Sequence, residues 1–480
     1  MLGSFTRKFA VFSAALAIAI LSQSTAFCQT GGGGNNPGGG GTGAANGIPT
    51  GGIEIDAQGV LTQRIFRGNA EKLNRERMKA AQEVLNDDLK KPAEMRKISL
   101  PRLEKAVADL IAAGKPIPPE MSYLGGMTKI THVFFYPETN DIVIAGPAEP
   151  FFLSAGERVV GMNSGRPVLQ LNDLIVALRS FSPGDRSTSM ITCSIDPTQE
   201  GLARYQNAYA RIASSGQFRP GRENEVIRIF RESLGMQKIT IQGVSTKTRF
   251  ARVLVEADYE MKLIGLGLKR PNAKKVKITS YMEKATPSGV SKNALQRWFF
   301  QPDYDCVHVN EDFTAMELVG SGVKLVGEGE SIARGGQRVR GRGMSGASRA
   351  FTTTFTKAYE KLAEQDPLWA ELRNLIDLSV TAAYIQKMGL YQKAGWNMET
   401  FGDESKVSVE LLEAPTQVAP VANAKWVGNY FMSPIAGGVS IQPRVALNSD
   451  RINVANSDKL NAMKSEITVD NLSDGQWWWD

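Results

Sequence analysis

Phe250, Leu254, Ala257, Met261, Ile264 and Leu268 recur at alternating spacings of four and three, a period that predicts a long helix over 246–268. A strand ending at Val255 with a helix after it is the rival reading. Arg252, Glu256, Asp258, Glu260 and Lys262 fall off this apolar stripe. They are expected on a solvated face, where Arg252–Glu256 and Asp258–Lys262 are spaced to pair. A narrower stripe runs through the charged segment 72–91. Leu103, Val107, Leu110 and Ile111 mark a helix over 101–113, with Ser99 as N-cap and Gly114 as its stop. Further helices are expected over 168–178, over 197–212 behind Asp196 as N-cap, over 223–234 up to Gly235, over 349–363, and over 367–388 behind Asp366.

Strand signals are interleaved with these helices. Segments 129–136 and 142–145 flank the polar turn 137–141 and predict a hairpin. Segments 190–195 and 238–242 read as single strands. Segments 298–301, 306–310, 315–319 and 323–326, the last three divided by Glu311-Asp312 and Ser321-Gly322, read as an antiparallel meander. Segment 332–348 is a Gly/Arg loop, and the chain from 415 onward is strand-like and loop-rich. Helices and strands alternate locally but also segregate into blocks. This favours an α+β fold with mixed or antiparallel sheets and packed helices over a doubly wound parallel sheet.

The N-terminal pattern concerns location. Arg7 and Lys8 precede an apolar stretch over 9–21, and Ser24-Thr25-Ala26 supplies small residues for cleavage, so a signal peptide is expected over 1–28. Cleavage after Ala26 fits best, with Cys28 as an alternative position. Phe27 stands where a lipobox needs a small residue, which argues against a lipoprotein. Segment 31–52 holds 12 glycines in 22 residues and is expected to be a flexible tether reaching about 25 Å. The organisation expected is a signal peptide over 1–28, a Gly-rich linker over 29–52, a helical region over 53–124, the main α+β part over 125–414, and a strand- and loop-rich tail over 415–480. No later apolar stretch approaches the roughly 20 residues of a transmembrane helix.

Composition narrows the chemistry. The formal net charge is +7, and loss of Arg7 and Lys8 would leave +5, a mild value that does not argue for nucleic acid. The chain has only two histidines, His132 and His308, so three histidines cannot meet on one zinc ion within it, and no Cys-x-x-Cys pair exists. No metal and no cofactor is expected. Beyond the signal segment the cysteines are Cys193 and Cys306. One disulfide or two separate thiols are open, and two reduced thiols are expected.

Three groups of residues carry candidate chemistry. Cys306 and His308 lie two apart on a predicted strand and share a face, but about 6.5–7 Å of rise separates them, which is long for a thiolate pair. Asp258 and Glu260 are candidate acid/base carboxylates if a partner faces them across a cleft. Arg338, Arg340 and Arg342 among glycines, and the adjacent aromatics Trp477, Trp478 and Trp479, are candidate binding residues. The former would serve an anionic envelope polymer; the latter would dock on the body of the protein or on a partner, with carbohydrate stacking or membrane-interface contact as the sharper alternative.

The stretches THVFFYPETNDIVIAGPAEP (131–150), GRPVLQLNDLIVALR (165–179), CSIDPTQEGL (193–202), VLVEADYEMKLIGLGL (253–268) and YDCVHV (304–309) resemble a family of uncharacterised exported proteins associated with planctomycete bacteria. The resemblance covers roughly residues 55 to 400. It implies an extracytoplasmic bacterial protein and no particular reaction. The expectation is an exported, non-enzymatic binding or structural module of the cell envelope, whose partner is an anionic polymer or another envelope protein. The alternative is an extracytoplasmic hydrolase using Cys306/His308 or paired carboxylates.

Overall fold

The computed structural model describes residues 52–480 apart from 64–68, 185–186, 216–218, 287, 291–292, 304–306, 342, 428–429, 455–456, 468, 470–471 and 474. The signal segment and most of the Gly-rich segment therefore lie outside the described residues, as do Cys306 and Arg342. The protein is α+β, with mixed and antiparallel sheets and 13 packed α-helices among the described residues.

The larger sheet has nine strands in the spatial order Ile53–Ile55, Val60–Gln63, Gln417–Val418, Gln237–Gln242, Ile191–Asp196, Ile435–Ile441, Ala294–Asp303, Gly322–Ile332 and Arg338–Arg340. Its pairs are antiparallel except Gln417–Val418 with Val60–Gln63 and Ile435–Ile441 with Ala294–Asp303. The second sheet has seven strands: Ile452–Asn453, Val307–Val309, Ala315–Leu318, His132–Tyr136, Asp141–Ala148, Ala93–Ser99 and Trp478–Trp479. One continuous core joins the inward residues of both sheets to the helices Leu171–Ser180, Arg249–Gly265, Gly346–Gln365 and Pro367–Lys387. Within it Trp298, Phe300, Phe351, Phe355, Tyr359 and Trp369 interlock with ring centroids 4.6–6.4 Å apart. Such pairs contribute about 0.5–1.5 kcal/mol each beyond their buried area.

Most predicted elements form where their patterns place them. Helix Leu100–Ala112 starts at Ser99, whose hydroxyl accepts from the Arg102 N–H. Helix Glu223–Leu234 buries Val226, Phe230 and Leu234 at spacings of four and ends at Gly235, whose φ of +65° suits a residue without a Cβ. Helix Pro367–Lys387 is capped by Asp366. The hairpin forms between His132–Tyr136 and Asp141–Ala148. The segment read as 246–268 is one helix, Arg249–Gly265, capped by Thr248.

Four expectations are corrected. The off-stripe face of that helix is buried: Glu256, Asp258, Glu260 and Lys262 are all under 10% exposed. The helix lies across the larger sheet, and Gly265 touches the Trp298 ring so closely that a Cβ would come within 2.4 Å of it. The meander is not one sheet. Ala294–Asp303 and Gly322–Ile332 pair with each other in the larger sheet, whereas Val307–Val309 and Ala315–Leu318 belong to the smaller. Alternation reports which strands have a buried face, not which sheet they join. The cap of helix Gln199–Ser215 is Thr198, whose hydroxyl accepts from the Gly201 N–H; Asp196 instead ends a strand and pairs with Arg338. The Gly/Arg segment contains an edge strand, Arg338–Arg340.

Strand Ala93–Ser99 and helix Ser457–Glu466 were not anticipated. The helix places Leu460 against Phe134, Tyr136, Val143 and Ala145, so it covers the other face of the seven-stranded sheet.

Candidate functional site

A cleft of about 480 Å³ opens beside the buried helix Arg249–Gly265. The helix contributes Glu256 and Glu260. The hairpin Phe151–Leu153/Val159–Gly161 contributes Phe152, Ser154 and Arg158. Helix Ala70–Val84 contributes Asn74, and the junction of two helices contributes Asp366. Local bonds fix these walls. Asn74 Oδ1 accepts from the Ala155 N–H at 2.6 Å, and Arg77 donates to the Ser154 carbonyl at 2.7 Å.

Behind the cleft runs a ladder of alternating charges. Arg158 donates through Nη2 to Glu256 at 2.7 Å and through Nε to Glu371 at 2.9 Å; Arg249 then joins Glu371 to Asp173. Burial pushes the Glu256 and Asp173 carboxyls up, and the arginines hold them back. Burial pulls the Arg158 guanidinium down, but Glu256 and Glu371 outweigh it and hold it above its ordinary value. At the mouth, Glu260 accepts from Lys269 at 2.7 Å and from Gln63 at 2.7 Å. Asp366 caps its helix, and burial pushes its carboxyl up to about 6. The cleft thus presents a polar wall set in place by protein partners.

Of the two candidate carboxylates, Glu260 lines this cleft and Asp258 does not. Asp258 is fully buried against the sheet, where it accepts from the Ile195 N–H at 3.0 Å and from Lys262 at 3.1 Å; Lys262 in turn donates to the Ile195 carbonyl at 2.6 Å. Burial raises its carboxyl to about 6. This is a bolt between helix and strand. Arg158, Glu256 and Asp366 were missed as site residues. Asp366 was legible only as a cap, and the proximity of Arg158 to Glu256 crosses about 100 residues of sequence.

The two histidines meet elsewhere. His132, Glu317 and His308 are directly opposite one another on three neighbouring strands of the smaller sheet. His308 Nδ1 lies 3.3 Å from one Glu317 oxygen, and His132 Nε2 lies 3.7 Å from the other, which also receives Lys459 at 3.2 Å. Burial pushes the His132 imidazole down to about 4. Burial raises the Glu317 carboxyl, but Lys459 and His308 outweigh it and hold it below its usual range. Among the described residues no three His, Cys, Asp or Glu side chains are grouped to hold a metal. Cys306, the proposed partner of His308, lies outside the described residues, and Cys193 is a buried free thiol.

The basic and aromatic candidates are partly engaged. Arg338 pairs with Asp196 at 3.1 Å and with Glu330 at 2.7 Å, whereas Arg340 is exposed; Arg342 lies outside the described residues. The C-terminal aromatics pack on the body of the protein. Trp478 and Trp479 form an edge strand beside Ile98 and Lys97, and Trp477 is buried. Fully buried Arg96 stacks 4.4 Å from the Trp478 ring centre and forks onto both Asp480 oxygens at 2.7 Å.

No helix among the described residues is long and apolar enough to cross a membrane. No curated protein and no solved structure matches the chain. Residues 193–281, which carry two strands of the larger sheet, the helix Arg249–Gly265 and the cleft residues Glu256, Glu260 and Lys269, match the family described as a protein of unknown function (DUF1598).

Proposed function

We propose that the chain is exported and acts outside the cytoplasm as a non-enzymatic binding module of the cell envelope, with a polar ligand held in the cleft beside Glu260. The observation that carries this reading is the pairing of the cleft wall. Glu256 is held by Arg158, Glu260 by Lys269 and Gln63, and Asp366 by the helix it caps. A wall fixed in this way is preorganised for recognition, since little ordering remains to be done on binding. Export rests on Arg7-Lys8, the apolar stretch over 9–21 and the small residues before Phe27.

The hydrolase alternative would draw on carboxylates that line one cleft: Asp366, whose carboxyl burial raises to about 6, lines it together with Glu260 and would suit a general acid. Two measurements test the proposal. Mass spectrometry of the mature N-terminus should find the first 26 or 28 residues removed; an intact Met1 in a protein confined to the cytosol overturns export. A panel of chromogenic glycosides, esters and phosphate esters should give no turnover. Turnover abolished in both Glu260→Gln and Asp366→Asn would replace the binding module by the hydrolase.

A further inference from the structure

The outer face of the nine-stranded sheet, opposite the helix Arg249–Gly265, divides in two. At one end Leu295, Ile332 and Ala436 are covered by helices Gln199–Ser215 and Glu223–Leu234 through Leu202, Tyr205, Val226 and Phe230. Beyond them the same strands run into an open trough of about 420 Å³. Cross-strand register sets its floor. Thr240, Ser194, Gly438 and Phe299 stand directly opposite one another on four successive strands, with Gln242, Thr192 and Ser440 in the next row.

Three features define what fits there. First, Gly438 has no side chain, and a Cβ there would lie 1.7 Å from the Cys193 carbonyl oxygen, so the floor between Ser194 and Phe299 is bare, close-packed backbone. Second, most groups around it are neutral and able both to donate and to accept, the hydroxyls of Thr192, Ser194, Thr240 and Ser440 and the amides of Gln242, Gln301 and Gln442, while Arg297 and Glu328, directly opposite each other, are its charged lining. Third, the one cation among these lining residues, Arg297, lies 3.5 Å from Glu330 and 5.8 Å from the centre of the Phe299 ring.

A protein partner needs apolar anchors, and a nucleic acid or acidic polymer needs unpaired cations. One aromatic ring on a floor lined mainly by hydroxyls and amides instead matches a pyranose ring, whose C–H face stacks on the aromatic while its hydroxyls exchange hydrogen bonds in both directions. We propose that this trough binds a neutral glycan chain. It is a second site, separate from the cleft beside Glu260.

The test applies the full mature chain to an array of neutral and acidic oligosaccharides and titrates the strongest neutral one by calorimetry. Binding to a neutral oligosaccharide is expected, nearly unchanged from about 50 to about 500 mM salt, since no ion pair forms. Phe299→Ala should weaken it roughly tenfold or more. Thr240→Glu, at an exposed position, places a charge in the trough and should abolish binding without the risk to folding. Glu260→Gln should leave it intact. The proposal is overturned if no neutral oligosaccharide binds, if only acidic ones bind and salt removes them, if Thr240→Glu binds like wild type, or if Glu260→Gln is the variant that loses binding. It also falls if light scattering shows a dimer that Thr240→Glu dissociates, because the face would then be covered by a second copy.

Discussion

Burial acts on the carboxyls and on one histidine of this protein in opposite senses. On the helix Arg249–Gly265, and on the helix Pro367–Lys387 and its cap, it pushes carboxyls up: Asp258 and Asp366 to about 6, and Asp377 to about 7. In the seven-stranded sheet it pushes His132 down to about 4. In each case the charged form is disfavoured. The consequences for stability are opposite. A raised carboxyl keeps a proton that the unfolded chain gives up above about pH 4, so stability falls as pH rises through the folded value. His132 stays neutral while the unfolded chain takes up a proton below about pH 6.5, so stability falls as pH drops from there towards 4. Partners set the degree of each effect. The cleft ladder returns an arginine to Glu256, Glu371 and Asp173. Nε2 of His132 has no hydrogen bond and only a distant Glu317 oxygen.

The largest expected effect comes from breaking the ladder. Glu371→Ala takes from Arg158 and Arg249 one of the two carboxylates that each holds, and a loss of about 3 kcal/mol is expected in urea denaturation at neutral pH. A loss under about 1 kcal/mol would mean that the ladder does not hold the cleft together. Next, Asp377→Asn removes a fully buried carboxyl with a raised pKa. It should stabilise the protein at pH 8 by on the order of 2–4 kcal/mol, and the gain should disappear near pH 4. Parallel stability–pH curves for variant and wild type would remove Asp377 from the comparison. The smallest effect has the opposite slope. His132→Gln should spare the protein about 2 kcal/mol of the stability that wild type loses between about pH 7 and pH 5. An acid loss as steep as that of wild type would show that His132 is not its source.

How legible these regions were differs for physical reasons. Helix Glu223–Leu234 and its Gly235 stop were readable because one face is buried and the other solvated, so periodicity and burial coincide. The charged face of Arg249–Gly265 misled because its charges find buried partners supplied by distant segments: Ile195 for Lys262, Arg158 for Glu256 and Gln63 for Glu260. Strand Ala93–Ser99 (AEMRKIS) has no clean alternation; Arg96 is buried in it because Asp480 and Trp478 come to meet it from the other end of the chain. In the candidate cleft, Glu260 could be named as a carboxylate. Its neighbours could not, because a cleft is defined by segments that sequence order keeps apart.

By itself the sequence determined the α+β class, the approximate spans of the longer helices, the caps Ser99 and Asp366 and the Gly235 stop, and the chemistry that only two histidines leave open. These follow from local physics: periodic burial, backbone groups that need caps, and the inventory of side chains. The tertiary structure alone decided which strands share a sheet, which charges are buried, and where a ligand can sit. Strand pairing joins Ile435–Ile441 to Ile191–Asp196 across more than two hundred residues, and cross-strand register sets Gly438 beside both Ser194 and Phe299. Such contacts are long-range, and a residue's own neighbours in sequence carry little information about them.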